Sequence, residues 1–165
     1  LKEGDIVSVD VGAFYGGFHG DNAFTFPCGK INADAQALLD ATKESLYEGI
    51  KQALAFNRVG DIGNAVQKYV EARSYSVVRD FVGHGVGAKL HEDPSVPNYG
   101  TPGRGVRLLP GMTIAIEPMV TQGSCEVKIL KDGWTTVTKD GKLAAHFEHS
   151  IAITPDGPVI LTSLD

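Results

Sequence analysis

Asp10 and Asp21 stand in runs where aspartate is rare. Residues 5–12 (DIVSVDVG) and 18–26 (FHGDNAFTF) are otherwise β-branched and aromatic, the composition of strands. Tyr15-Gly16-Gly17 supplies turn chemistry between them, so the two runs read as a hairpin. A two-residue loop at Tyr15-Gly16 would set Asp10 directly opposite Asp21. A loop at Gly16-Gly17 would make them diagonal neighbours on one face. Like charges held that close are destabilising. They call for a metal ion, a shared proton or a basic partner, unless the strands fray and water solvates both acids.

Three more groups extend the set. His84 sits among glycines in GHGVG (83–87), and His91 opens HEDP (91–94). A lone loop histidine is more often structural than a ligand, and a spacing of seven is not that of a helical zinc pair. Glu117 ends the apolar run TIAI, and Glu148 interrupts HFEHSIAI. Four acids in strand-like surroundings plus one imidazole suit Mn²⁺, Fe²⁺ or Co²⁺. A structural zinc would favour Cys and His. Four negative charges match two divalent cations, which shared carboxylates could bridge about 3.5–4 Å apart. The chain has no Walker-type loop, no G-x-S-x-G elbow and no G-x-G-x-x-G after a strand, which argues against P-loop, α/β-hydrolase and Rossmann chemistry.

The elements that must position these groups follow from periodicity. Residues 33–56 read as a long helix with Asn32 as N-cap. A second helix begins after Asp61, with Ile62, Val66, Tyr69 and Val70 as its apolar stripe. Residues 75–82 read as a strand, and 83–111 as loop. Residues 112–120 (strand-like up to Pro118), 126–130, 135–138, 145–154 and 159–162 are further strand candidates, divided by Lys-Asp-Gly, Asp-Gly and Pro-Asp-Gly turns. Strands outnumber helices and are joined by short turns. That predicts an α+β fold with a largely antiparallel sheet and covering helices.

Composition sets the bounds. A chain of 165 residues with 42% hydrophobic and 21% charged residues is an ordinary globular domain. A net charge of −5 with no basic stripe argues against nucleic acid as a partner. No apolar run has the length of a membrane span. Cys28 and Cys125 make no disulfide framework and read as small core residues in a reducing compartment.

The ordered set Asp10, Asp21, His84, Glu117 and Glu148 resembles the metal ligands of the methionine aminopeptidases, members of the pita-bread metallopeptidases. The local wording is similar too: VDVG, GFHGD, GHGVGAKLHEDP, LPGMTIAIEPM and FEHSIAIT. The resemblance runs from Leu1 to about Leu161 and is to the type I, bacterial-style branch, with no long insertion in the second half. It implies that Asp10 chelates one ion, that Asp21 and Glu148 are shared by both, and that His84 and Glu117 complete the second. The ions would be Co²⁺, Mn²⁺ or Fe²⁺, with Zn²⁺ as an alternative. A water or hydroxide between them would attack the scissile carbonyl, Glu117 would take its proton, and His91 would steady the developing oxyanion. Leu90 and Trp134 match positions that wall the methionine pocket. A plain turn aromatic is an equal reading of Trp134. His19, His146 and His149 read as supporting or structural.

The implied activity is removal of N-terminal methionine, before a small second residue, from nascent chains in the cytoplasm. The ribosome exit region is a further expected partner. An Xaa-Pro aminopeptidase or prolidase-like peptidase is the rival within the fold. Those branches usually carry a second acid after the last ligand, where this chain has His149 after Glu148. A non-catalytic pita-bread binding module is the rival of another class, and such modules typically lose ligands. The family also has an N-terminal portion that carries another histidine of the substrate site. This sequence opens on Leu1 just before the Asp10 strand. The expectation is an N-terminally truncated single catalytic domain over 1–165, with the metal-bearing hairpin of the first half at 5–26 and the complete second half from about 33 to 165. An edge left uncovered would expose apolar surface and invite self-association.

Overall fold

The computed structural model describes residues 1–163. Leu164 and Asp165, the end of the expected domain, lie outside the described residues. The hairpin forms as β1 (Ile6–Tyr15) and β2 (Phe18–Pro27). Its loop is Gly16-Gly17, with φ of 59° and 93°. Two consecutive positive φ values make the tight turn that suits twisted antiparallel strands, and glycine enters them without strain. That turn sets the register: Asp10 lies opposite Ala23, and Gly12 opposite Asp21. The two aspartates are therefore diagonal neighbours on one face. On that face Asp21, Ala23 and Thr25 are buried, while Val9 and Val11 on the other face of β1 are 44% and 55% exposed.

Helix α1 (Ala33–Ile50) begins as expected, with Asn32 Oδ1 accepting the Ala35 N–H at 2.7 Å. It stops at Ile50 rather than Phe56. Beyond Ile50 the bonds tighten to i→i−3, the Gln52 carbonyl accepts from the Asn57 side chain, and Phe56 takes a φ of 73°. No helix continues through that conformation. Helix α2 (Val59–Glu71) starts before Asp61, which is its third residue and not its cap. From there Asp61 accepts the Arg58 N–H at 2.8 Å and the Gly103 N–H at 2.7 Å. Satisfying a free helix-start donor from the third position is the reciprocal half of a capping box. Ile62, Val66 and Val70 of α2 are fully buried against Leu38, Leu46 and the sheet residues Ile114, Ile116 and Ile151.

The remaining strands are β3 (Ser76–Val77), β4 (Gly83–Gly85), β5 (Glu92–Val96), β6 (Thr113–Ile116), β7 (Met119–Thr121), β8 (Val127–Ile129), β9 (Thr136–Thr138), β10 (Ala144–His146), β11 (His149–Thr154) and β12 (Gly157–Ile160). They form a five-stranded sheet in the order β12-β11-β6-β4-β5, a three-stranded sheet β10-β7-β3, and the pair β8-β9. Every named pairing is antiparallel, so the α+β expectation holds. Three expectations need correction: the strand at 75–82 shrinks to two residues, the loop at 83–111 contains β4 and β5, and the run 145–154 is two strands. The run 112–120 divides at Pro118, where its strand character was expected to end, into β6 and β7.

Those two splits are one structural event. β6 and β11 are neighbours in the five-stranded sheet, and β7 and β10 are neighbours in the three-stranded one. Both chains cross between the sheets side by side, at residues 117–118 and 147–148. Pro118 has no N–H to offer a ladder, which ends β6 there. The hairpin docks at the same crossing. Glu148 N–H donates to Ala23 O (2.9 Å), Asp21 N–H to Ser150 Oγ (2.9 Å), and the Ser150 hydroxyl to Asp21 O (2.8 Å). Thr25 brackets His146, donating to its carbonyl at 2.7 Å and accepting from its N–H at 2.9 Å.

Candidate metal centre

Glutamates 117 and 148 sit where the two chains leave one sheet for the other, so their side chains meet. Asn98 is fully buried and donates to the Glu117 carbonyl at 3.0 Å, which fixes that crossing. Asp21 comes from the docked hairpin and is 5% exposed. Asp10, its diagonal neighbour, is exposed on β1. His84 stands in the middle of β4, between β5 and β6. A Cβ at Gly83 would run into the Ala115 carbonyl, and one at Gly85 into the Asp93 carbonyl. Glycine on both sides of His84 is what lets β4 fit between its neighbours and present the imidazole.

The imidazole is oriented. His84 Nδ1 lies 2.8 Å from Gly85 O. A carbonyl only accepts, so Nδ1 carries the proton and a neutral ring keeps its lone pair on Nε2. Nε2 points at two acids, 3.6 Å from Asp21 Oδ2 and 3.4 Å from Glu117 Oε1. Ligand atoms of Asp21, His84 and Glu148 all lie within 4.8 Å of one another.

The electrostatics fit a cation. Glu148 is 1% exposed and its carboxyl is pushed up to about 9, first by burial and then by the charges of Glu117, Asp21 and Asp10. Its Oε1 has no hydrogen-bond partner. Burial and then Asp10 also raise Asp21, while His84 and His91 draw it down. No lysine or arginine is among the chief charges on either group. A buried carboxyl without a partner is costly, and bound cations reverse that cost. The donor set, oxygen-rich with one correctly presented imidazole nitrogen, fits hard to borderline divalent ions.

The other expected residues divide. The His91 ring lies 4.3 Å from that of His84, centroid to centroid, at the rim of an open cleft of about 650 Å³ lined also by Lys89, Glu92, Asp93 and Ser95. Leu90 rests against β1, since a Cβ on Gly12 would lie 2.9 Å from Leu90 Cδ1. Trp134 is 88% exposed in the turn between β8 and β9, and the structure does not bring it to the cluster. His19 donates its N–H to Gly87 O at 2.7 Å, and His149 pairs with Thr162 Oγ1 at 2.8 Å, both supporting contacts. The sequence reading undervalued His146. Its Nε2 is buried without a partner, 3.6 Å from Glu117 Oε2. His146 ends β10, at the sheet crossing that brings its ring to Glu117, a placement the strand pattern of the sequence does not signal.

The profile of metallopeptidase family M24 matches residues 1–155. The chain belongs to that family. It is 59% identical over 162 residues to a methionine aminopeptidase of Clostridium perfringens, and 57% identical over 162 residues to methionine aminopeptidase 1 of Bacillus subtilis. Each match covers 98% of this chain and 65% of the relative, so the M24 chain spans about two thirds of those proteins. A crystal structure of methionine aminopeptidase from Thermotoga maritima superposes with a TM-score of 0.96 at 53% identity, covering 99% of this chain and 66% of that one. The architecture is thus the pita-bread fold. No described helix is long and apolar enough to cross a membrane.

Proposed function

We propose that this chain carries the two-metal centre of a methionine aminopeptidase. The observation that carries the reading is the convergence of Asp21, His84 and Glu148 ligand atoms within 4.8 Å, around a buried carboxyl pushed up to about 9. Asp10 would hold one ion, Asp21 and Glu148 both, and His84 with Glu117 the second, within one catalytic domain whose hairpin (5–26) completes the unit from about 33 onward. Co²⁺, Mn²⁺ and Fe²⁺ suit this donor set, and Zn²⁺ is tolerable to it. When bound, such ions make a water nucleophilic near neutral pH and polarise the scissile carbonyl.

The chain's own residues would do the rest. Glu117, whose Oε1 faces His84, would accept the proton released by the attacking water and pass it to the leaving amine. His91, at the cleft rim beside His84, would donate to the carbonyl oxygen as negative charge develops on it. Leu90 would line the methionine side of the cleft, with Trp134 joining only if the β8–β9 turn folds over the substrate. The substrate is an N-terminal methionine, a reading supported by the names of the relatives at 57–59% identity, and the small second residue is what the family resemblance implies. Nascent chains in the cytoplasm, near the ribosome exit, are the natural source. Self-association through the exposed face of β1 is proposed on its uncovered Val9, Val11 and Tyr15.

The test is methionine release from a Met-Ala-Ser peptide by the Mn²⁺-loaded chain. Release that stops with chelator and with Glu117→Ala supports the proposal. Cleavage of Xaa-Pro peptides in its place would move the chain to the prolidase-like reading.

A further inference from the structure

Glu117 has an imidazole at each oxygen. His84 Nε2 lies 3.4 Å from Oε1, and His146 Nε2 lies 3.6 Å from Oε2. The two rings are not equivalent. His84 spends its Nδ1 proton on Gly85 O, which leaves Nε2 free as a ligand. His146 is part-buried, and its Nε2 is buried with no hydrogen-bond partner. The backbone of His146 is clamped by Thr25 at both its N–H and its carbonyl, so the residue's main chain is held in place from the hairpin. The nearest acid to that buried nitrogen is a carboxylate oxygen, which can only accept.

We propose that His146 is a positioning residue for Glu117: its Nε2–H donates to Glu117 Oε2 and keeps Oε1 turned towards His84 and the metal site. The inference rests on the metal-centre reading for its consequence, though not for the hydrogen bond itself. Glu117 has two tasks in that reading, holding an ion and accepting a proton, and a carboxylate free to rotate would do both poorly. A donor on the outer oxygen fixes which oxygen faces the ion. Groups that orient ligands in this way commonly govern affinity nearly as strongly as the ligands.

The experiment has two arms. The first reads the ring protons of the wild-type chain by NMR with ring-¹⁵N-labelled histidine, metal-free and then Zn²⁺-loaded. The expected result is an Nε2–H tautomer at His146 and an Nδ1–H tautomer at His84, in both states. An Nδ1–H tautomer at His146, or zinc bound to its ring, overturns the proposal. The second arm titrates Mn²⁺ into wild type, His146→Leu and His146→Gln. His146→Leu should weaken one of two sites by about 10–100-fold, and His146→Gln, which keeps an N–H donor, should return it to within about threefold of wild type. Equal affinity in the leucine variant and wild type, or equal loss in both variants, overturns the proposal. If the leucine variant does not fold, the tautomer and the glutamine variant decide. A wild-type chain that binds no Mn²⁺ defeats the metal-centre reading instead, and the metal-free tautomer still tests the hydrogen bond.

Discussion

At the residue scale the site depends on acids that have no countercharge of their own. Asp21 takes part on both sides of the proposed centre, next to His84 and diagonal to Asp10. Asp21→Ala should therefore abolish tight binding of at least one ion, counted by atomic emission on the dialysed protein. Two retained ions per chain would remove Asp21 from the ligand set. His91 lies beside His84 at the cleft rim and is not among the proposed ligands. Its replacement by alanine should lower turnover by roughly 10²–10³, as loss of one oxyanion donor does, and leave metal content alone. Metal lost on His91→Ala would make it a ligand. The proposed ligands were legible because each broke a local rule, an acid in an apolar strand or, for His84, a histidine among glycines, while His91 rested on the family resemblance. His146 broke none strongly enough, since one histidine in a strand is ordinary and only the sheet crossing turns it towards Glu117.

At the element scale, backbone geometry places the chemistry. β4 fits between its neighbours because Gly83 and Gly85 carry no side chain. Either one changed to alanine should destabilise the fold by about 1–3 kcal/mol, the usual cost of overpacking, measured by urea unfolding. An unchanged midpoint would show that β4 is looser than described. The Ser150 hydroxyl ties Asp21 into the sheet, accepting from the Asp21 N–H and donating to the Asp21 carbonyl. Ser150→Ala leaves a buried N–H unpaired at about 1–3 kcal/mol and should weaken metal binding at Asp21 as well. Sequence periodicity located the hairpin and both helices, and its glycines offered the observed turn as one of two registers. Pro118 marked the break at 117–118, but nothing marked the one at 147–148. The apolar pattern runs through the latter, and only the second sheet gives the chain a reason to leave the first. Helix α1 was overextended for a related reason: Ala53 and Leu54 continue the stripe, but the segment around Leu108 claims the backbone instead.

At the scale of the whole molecule, fold and charge are coupled through Glu148. Its carboxyl titrates near 9 in the folded metal-free chain and near the ordinary glutamate value when unfolded. Between those values the folded state holds the extra proton, so the metal-free chain loses stability as pH rises through that window. Asp21, raised for the same reason, acts with the same sign. Melting temperature without metal should fall from about pH 5 to about pH 8, and Glu148→Gln should flatten the slope. A rising curve would contradict the burial of Glu148. A bound cation takes the proton's place, so divalent ions should remove the slope and release protons as they bind. The exposed apolar face of β1 belongs to this scale too, and sequence showed only that its valines alternate, not which side the core would take.

The most direct test of the central claim is anomalous diffraction at the manganese edge from crystals soaked in Mn²⁺. The account predicts two peaks, about 3.5–4 Å apart, among Asp10, Asp21, His84, Glu117 and Glu148, with Asp21 and Glu148 between them. An empty cluster, or manganese held only at the cleft rim by His91 and Asp93, would contradict it.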